Sequence, residues 1–176
     1  MTGHLPTNST SQTSSKETSS YPQEIQCFID FYQTLNKNNI DKLADIYHPQ
    51  ITFIDPLHKT QDLFELESYF ANMYANVTQI HFSIDKVVIQ DREACLFWVM
   101  TFSSKKLNKG NSIKVDGMSF LTYQNAISTQ SASSQNNQAI DNKILIHRDY
   151  YDAGQMLYEH IPIIASAIRF IKNKVS

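Results

Sequence analysis

The sequence predicts an α+β layer fold in which a curved antiparallel sheet wraps around a long N-terminal helix. Three observations predict it. Apolar residues recur at three- and four-residue steps through the first part of the chain, the signature of helices with one buried face. From about His81 the period changes to two, the signature of strands. The strand-like runs are separated by turn signals and not by helices, so they read as an antiparallel meander rather than as βαβ units. A strongly curved sheet of this kind can enclose the first helix and leave a pocket open at one end.

The first 20 residues are dominated by Ser and Thr. They offer too little apolar surface to offset their ordering entropy, so residues 1–20 are expected to form a disordered tail. Ser20 and Gln23 have capping-box spacing with Pro22 in the first turn. Ile25, Phe28, Tyr32 and Leu35 then form the stripe of an amphipathic helix that ends at Asn36 to Asn39. A shorter helix covers Ile40 to Tyr47 and stops before Pro49. Ile51 to Ile54 is a short strand closed by Asp55-Pro56. Asp62 and Glu65 cap a third helix, with Phe64, Tyr69 or Phe70, and Met73 facing inward.

Four longer strands follow: His81 to Ile89, Glu93 to Phe102, Ile113 to Tyr123 and Lys143 to Tyr151. Asp91-Arg92 and Asn108 to Asn111 are the turns between the first three. The polar run STQSASSQNNQ, Ser128 to Gln138, lies between the last two strands. It predicts a mobile hairpin loop over 126–140. After Gly154 an amphipathic helix is expected within 154–176, with Ile161, Ile164, Ile168, Ile171 and Val175 on one stripe and Arg169, Lys172 and Lys174 near its end. That helix either packs on the sheet or on a second subunit, or lies on a membrane surface or a partner. Residues 21–153 form the folded domain.

Composition excludes several classes. The 176 residues carry a net charge of −2, so a broadly basic nucleic-acid binder is not expected. Two cysteines, Cys27 and Cys95, frame neither a disulfide scaffold nor a thiolate zinc site; both read as small buried hydrophobes. Four glycines cannot be arranged into a phosphate-cradling loop. The histidines lack metal-ligand spacing, so no metal and no cofactor are expected. No run of about 18 apolar residues suggests a membrane span. The N-terminus lacks the basic and apolar regions of a signal peptide, and a cytoplasmic protein is expected.

The residues that can carry chemistry lie on two strands. Asp55 follows an alternating run in which Ile51 and Phe53 share its side. A carboxylate there is either a desolvated general base or a turn-ending Asx residue. On the last strand Leu145, His147, Asp149 and Tyr151 alternate onto one face, about 7 Å apart per step. This places an imidazole, a carboxylate and a phenol in one row, with Arg148 on the opposite face. The row is either a site or a polar face of the sheet. Asp116 precedes Gly117, where a bulge would decide whether Asp116 or Ser119 swings inward. Trp98 either lines a pocket or fills the core, and His58 sits just beyond Asp55-Pro56.

The segment IDKLADIYHPQITFIDP, Ile40 to Pro56, and the closing strand KILIHRDYYD, Lys143 to Asp152, resemble the SnoaL-like branch of the nuclear transport factor 2-like superfamily. That branch includes polyketide cyclases and relatives of ketosteroid isomerase and limonene epoxide hydrolase. The resemblance spans about Glu24 to Asp152. It implies a cone-shaped fold, a conical pocket for a small apolar molecule and a homodimer built through the sheet. It also implies acid/base chemistry without a cofactor, of isomerase, cyclase or hydrolase type. In ketosteroid isomerases the base is the Asp of the Asp-Pro pair, which is Asp55 here. The oxyanion-binding Tyr of the first helix falls on Phe31, with Tyr32 facing another way, and the Asp of the third long strand falls on Ser119. The expected site is therefore Asp55, His147 and Asp149 for catalysis. Tyr151, Ser119, Phe31, Trp98, His58 and Asp116 would bind the ligand. The alternative is a ligand-binding or protein-interaction module without catalysis.

Overall fold

Pro22 stands at the N-cap of the first helix, α1 (Gln23–Thr34), and its carbonyl accepts from Ile25 and Gln26 at 3.0 Å. The computed structural model describes residues 21–123 and 143–157. The expected N-terminal tail, the 126–140 loop and nearly all of the C-terminal helix lie outside the described residues.

The apolar stripe of α1 is buried as its spacing predicts: Ile25, Phe28, Tyr32 and Leu35 all lie in the core. The Asn36 and Asn39 side chains donate to the Thr34 carbonyl at 2.9 and 3.0 Å, which satisfies the end of the helix. A 3₁₀ turn (Ile40–Lys42) and the single turn α2 (Leu43–Ile46) lead into strand β1 (Tyr47–Ile54). This strand is longer than its apolar run suggests. A two-residue edge strand, β2 (Lys59–Thr60), pairs with its end. Asp62 caps α3 (Leu63–Tyr74) by accepting from the Glu65 amide at 2.8 Å, and Glu65 accepts from the Gln61 amide at 2.9 Å. Of the residues expected to face inward on α3, Phe70 is buried and Tyr69 and Met73 pack against the core, whereas Phe64 is 77% exposed because Leu63 and Leu66 take the inward places beside it.

Strands β3 (Val77–Gln90), β4 (Glu93–Ser104), β5 (Ser112–Tyr123) and β6 (Ile144–Tyr151) form the meander. The Asp91 turn and the Asn108–Gly110 turn use left-handed backbone at Asp91, Asn108, Lys109 and Gly110. Six strands among the described residues run in the order β2-β1-β6-β5-β4-β3. The sheet is mixed rather than wholly antiparallel, since β1 pairs with β6 in parallel (Phe53 opposite His147). The long path between them supplies the crossover that a parallel pair needs. That pairing brings the end of β1, with Asp55 next to it, beside the chemical row of β6.

Helix α1 lies against the inner face of the curved sheet. Phe28 meets the His147 ring edge-on at 5.2 Å, and Tyr32 meets Phe82 at 5.4 Å. The expected bulge at Gly117 is absent: β4 and β5 stay in register from Ser103 opposite Ser112 to Glu93 opposite Thr122. Gly117 has another role. A Cβ there would overlap the Trp98 indole, so the strand leaves room for the ring. The irregularity comes at the far end of β5, where Leu145 is the extra residue between Ile144 and Ile146. Ile144, not Leu145, is therefore the fully buried residue there. Both cysteines are less buried than expected: Cys27 is exposed and Cys95 half-buried, because each lies off its element's inward face.

Candidate active site

Asp55 is 92% buried and holds four hydrogen bonds. Its Oδ1 accepts from the Leu57 and His58 amides, both at 2.7 Å, and so ends β1 in an Asx turn. Its Oδ2 accepts from the Tyr69 hydroxyl at 2.6 Å and from the Tyr151 hydroxyl at 3.3 Å. Both readings of the sequence meet in this residue: it closes a turn, and it lies on the buried side with Ile51 and Phe53. Burial, then the hydrogen bond to Asp55, holds the Tyr69 phenol well above its usual range. Burial and the Asp55 charge do the same to Tyr151.

The β6 row builds a second group. The imidazole of His147 is fully buried. Its Nε2 lies 2.7 Å from Asp149 Oδ1, and its Nδ1 lies 2.7 Å from the Tyr47 hydroxyl. An ionised carboxylate can only accept, so Nε2 carries the proton, and in the neutral imidazole Nδ1 accepts from Tyr47. Tyr47 bonds in turn to the Tyr32 hydroxyl at 2.7 Å. Ser119 donates to Asp149 Oδ1 at 2.5 Å and accepts from Trp98 Nε1 at 2.9 Å. The bonds all fall on Oδ1; no hydrogen bond reaches Oδ2 of Asp149 among the described residues. Among the described residues Asp149 is therefore a carboxylate bonded at one oxygen only. Burial dominates the raised phenol ionisation of Tyr32 and Tyr47, with the Asp149 charge adding to both.

Asp55 and Asp149 line one cavity of about 40 Å³, together with Tyr32, Tyr74, Trp98, Tyr151 and apolar side chains. An adjoining apolar cavity of about 80 Å³ shares Met73, Tyr74, Met100 and Met156 with it. Unbranched Met side chains at this boundary can repack around a guest. The two carboxylates thus border one largely apolar space.

The structure brings together Asp55, His147, Asp149, Ser119, Tyr151 and Trp98. It does not bring in the other three predicted residues. Phe31 is buried beside the site but borders neither cavity, because the neighbouring Tyr32 takes the inward position on α1. This reverses the expected order of the pair. Asp116 is exposed and lies 3.9 Å from Lys114, since the unbroken register of β5 points it outward. His58 is exposed too. Its amide serves Asp55 while its ring stacks on Tyr69 at 5.0 Å. Sequence reasoning missed Tyr47, Tyr69 and Tyr74. Each reads as an amphipathic core residue on its own, and only the inward helical spacing of Tyr69 hinted at a role.

Among the described residues no three His, Cys, Asp or Glu side chains cluster as a metal site. Nor is any helix there long and apolar enough to cross a membrane.

Solved structures share the fold at low identity. A protein from Shewanella denitrificans OS-217, described as a SnoaL-like polyketide cyclase, superposes with a TM-score of 0.57 at 14% identity, over 77% of this chain and 95% of that one. A protein of ketosteroid isomerase-like fold from Catenulispora acidiphila DSM 44928, in complex with trimethylamine, gives 0.58 at 14% identity, over 80% and 94%. A nuclear transport factor 2-like protein of unknown function from Burkholderia pseudomallei K96243 gives 0.61 at 8% identity, over 78% and 97%. No curated protein matches the chain significantly. The model of the SnoaL-like domain family matches residues 28–126, more than half of the sequence. With that match the chain belongs to the SnoaL-like domain family, and its fold is that of nuclear transport factor 2-like structures.

Proposed function

We propose that the protein binds a small apolar molecule in its conical cavity and moves a proton on it, with Asp149 as the acceptor. The free Oδ2 of Asp149, in a cavity where Oδ1 is held by His147 and Ser119, carries this reading. A base must have a lone pair aimed at its substrate, and Asp149 keeps one while all four bonds of Asp55 are made. Asp149 takes a proton from carbon beside a carbonyl, and the electron pair of the C–H bond moves into the enolate. His147 steadies the carboxylate, and Asp55 orders Tyr69 and Tyr151 along the wall. Asp55 is the second candidate base, once a ligand displaces the long bond from Tyr151.

Exchange of the α-protons of 2-octanone in D₂O, followed by proton NMR, tests this. The protein should accelerate exchange over buffer, and Asp149→Asn should lower that acceleration about 100-fold, the usual scale of a general base. Equal exchange by Asp149→Asn removes Asp149 from the role, and no acceleration by the unaltered protein removes the chemistry.

The same reading includes a homodimer. Phe97, Met118 and Tyr150 lie side by side across β4, β5 and β6 on the outward face, and Phe97 and Tyr150 are 40% and 45% exposed. An apolar row on a central, outward sheet face supports pairing with a second copy. The free thiols among the described residues support a reducing, cytoplasmic setting.

A further inference from the structure

Tyr74 is 3% exposed, closes α3 and borders both cavities. The other buried phenols near it are all spoken for: Tyr32 by Tyr47, Tyr47 by His147, and the half-buried Tyr69 and Tyr151 by Asp55. Tyr74 has no hydrogen-bond partner among the described residues. A hydroxyl without a protein partner is left for water or a ligand to meet. The Tyr74 hydroxyl is not fully buried, unlike that of Thr60, the one completely buried side-chain atom with no partner among the described residues. Thr60 is completely buried, whereas the open space that Tyr74 borders is the cavity.

We propose that Tyr74 is the ligand's hydrogen-bond donor, and that the ligand is an uncharged, elongated apolar molecule with an accepting oxygen partway along its length. This rests on the reading of the cavity as a ligand site. The unpartnered phenol stands at the waist between the two lobes, so the oxygen it meets is internal to the ligand. The inner lobe, with Asp149 and Trp98, takes the reacting end. The outer lobe, walled by Val77, Ile80, Phe102 and Leu107, takes an apolar tail. Met73, Met100 and Met156 line both lobes and give way where the ligand passes. A phenol that remains protonated in this setting donates rather than accepts, since burial and then the Asp149 charge oppose its ionisation. Among the described residues the outer lobe offers no charged group to a ligand, which selects against an ionic tail.

Trp98, the single tryptophan, lines the inner lobe and reports occupancy by its fluorescence. The probes are 2-octanone and 2-methyl-1-octene, equal in shape and different in the accepting oxygen. The unaltered protein should bind the ketone about tenfold more tightly, the scale of one hydrogen bond made in a dry site. Tyr74→Phe should bring the two affinities within about twofold of each other. Its melting temperature should stay level or rise, because no protein bond is lost. A ketone preference that survives Tyr74→Phe, or none in the unaltered protein, overturns the proposal. So does a marked loss of stability in Tyr74→Phe, which would make the hydroxyl structural. If neither probe changes Trp98 fluorescence, the cavity reading falls as well. Failure of proton exchange with binding intact leaves Tyr74 in place and removes Asp149 alone.

Discussion

Asp55 and Asp149 show how much one residue's role depends on what converges on it. Both were visible in the sequence as carboxylates placed by the alternation of β1 and β6, Asp55 on the side of Ile51 and Phe53 and Asp149 in a row whose direction stayed open. Their difference was not. Asp55 meets donors from its own turn, from α3 fourteen residues away and from β6, while among the described residues Asp149 is gripped at one oxygen only. The Tyr32 stripe position was legible as core, but its partner Tyr47 is 15 residues away, and Tyr47's partner His147 is 100 residues further on. Phenol ionisation makes this network testable residue by residue. Tyr32, Tyr47, Tyr69, Tyr74 and Tyr151 all hold their protons more tightly in the folded state than the ordinary phenol value of 10.0, chiefly through burial. A raised folded-state value stabilises the protein fully below the unfolded value and loses that stabilisation as pH climbs above it. Stability should therefore fall from about pH 10 upward. The phenolate absorbance of these five residues should appear together with loss of the far-ultraviolet circular dichroism. Their ionisation in a protein that keeps its dichroism would contradict the burial.

Elements were more legible than their edges. The helical stripe of α1, the Asp62 cap of α3 and the meander of β3 to β6 follow from periods of 3.6 and 2 and from turn chemistry. The exposure of Phe64 on α3 and the full length of β1 do not, since single apolar residues can face solvent without disturbing the pattern. Gly117 is the sharpest case. In the sequence it reads as a bulge, yet β5 runs through it in register, and the glycine is there because Trp98 crosses over it. Gly117→Ala should force the indole from its place and break its bond to Ser119. A loss of about 1–3 kcal/mol in chemical denaturation is expected, the usual cost of overpacking. Trp98 emission should shift to the red. Unchanged stability and emission would show that the ring has room to move.

At the scale of the molecule, the outward row of Phe97, Met118 and Tyr150 is flanked by cations: Lys86 lies 6.0 Å from the Phe97 ring and Arg148 5.0 Å from the Tyr150 ring. Sedimentation equilibrium should give twice the chain mass, and Phe97→Lys should return the monomer by placing like charges across the two-fold axis. A monomeric unaltered protein refutes the dimer. By itself the sequence determined the α+β class, the order of its elements, the placing of His147, Asp149 and Tyr151 in one row, and the resemblance to the SnoaL-like family. These rest on periodicity and local motifs, which are properties of neighbours in the chain. Only the tertiary structure decided that β1 lies parallel to β6, that Tyr32 and not Phe31 faces the cavity, and that Asp149 Oδ2 is unbonded among the described residues. It also left the Tyr74 hydroxyl without a partner among the described residues. Those facts depend on which distant groups meet across the sheet, and hydrogen bonds between residues 100 positions apart leave no period in the sequence to read.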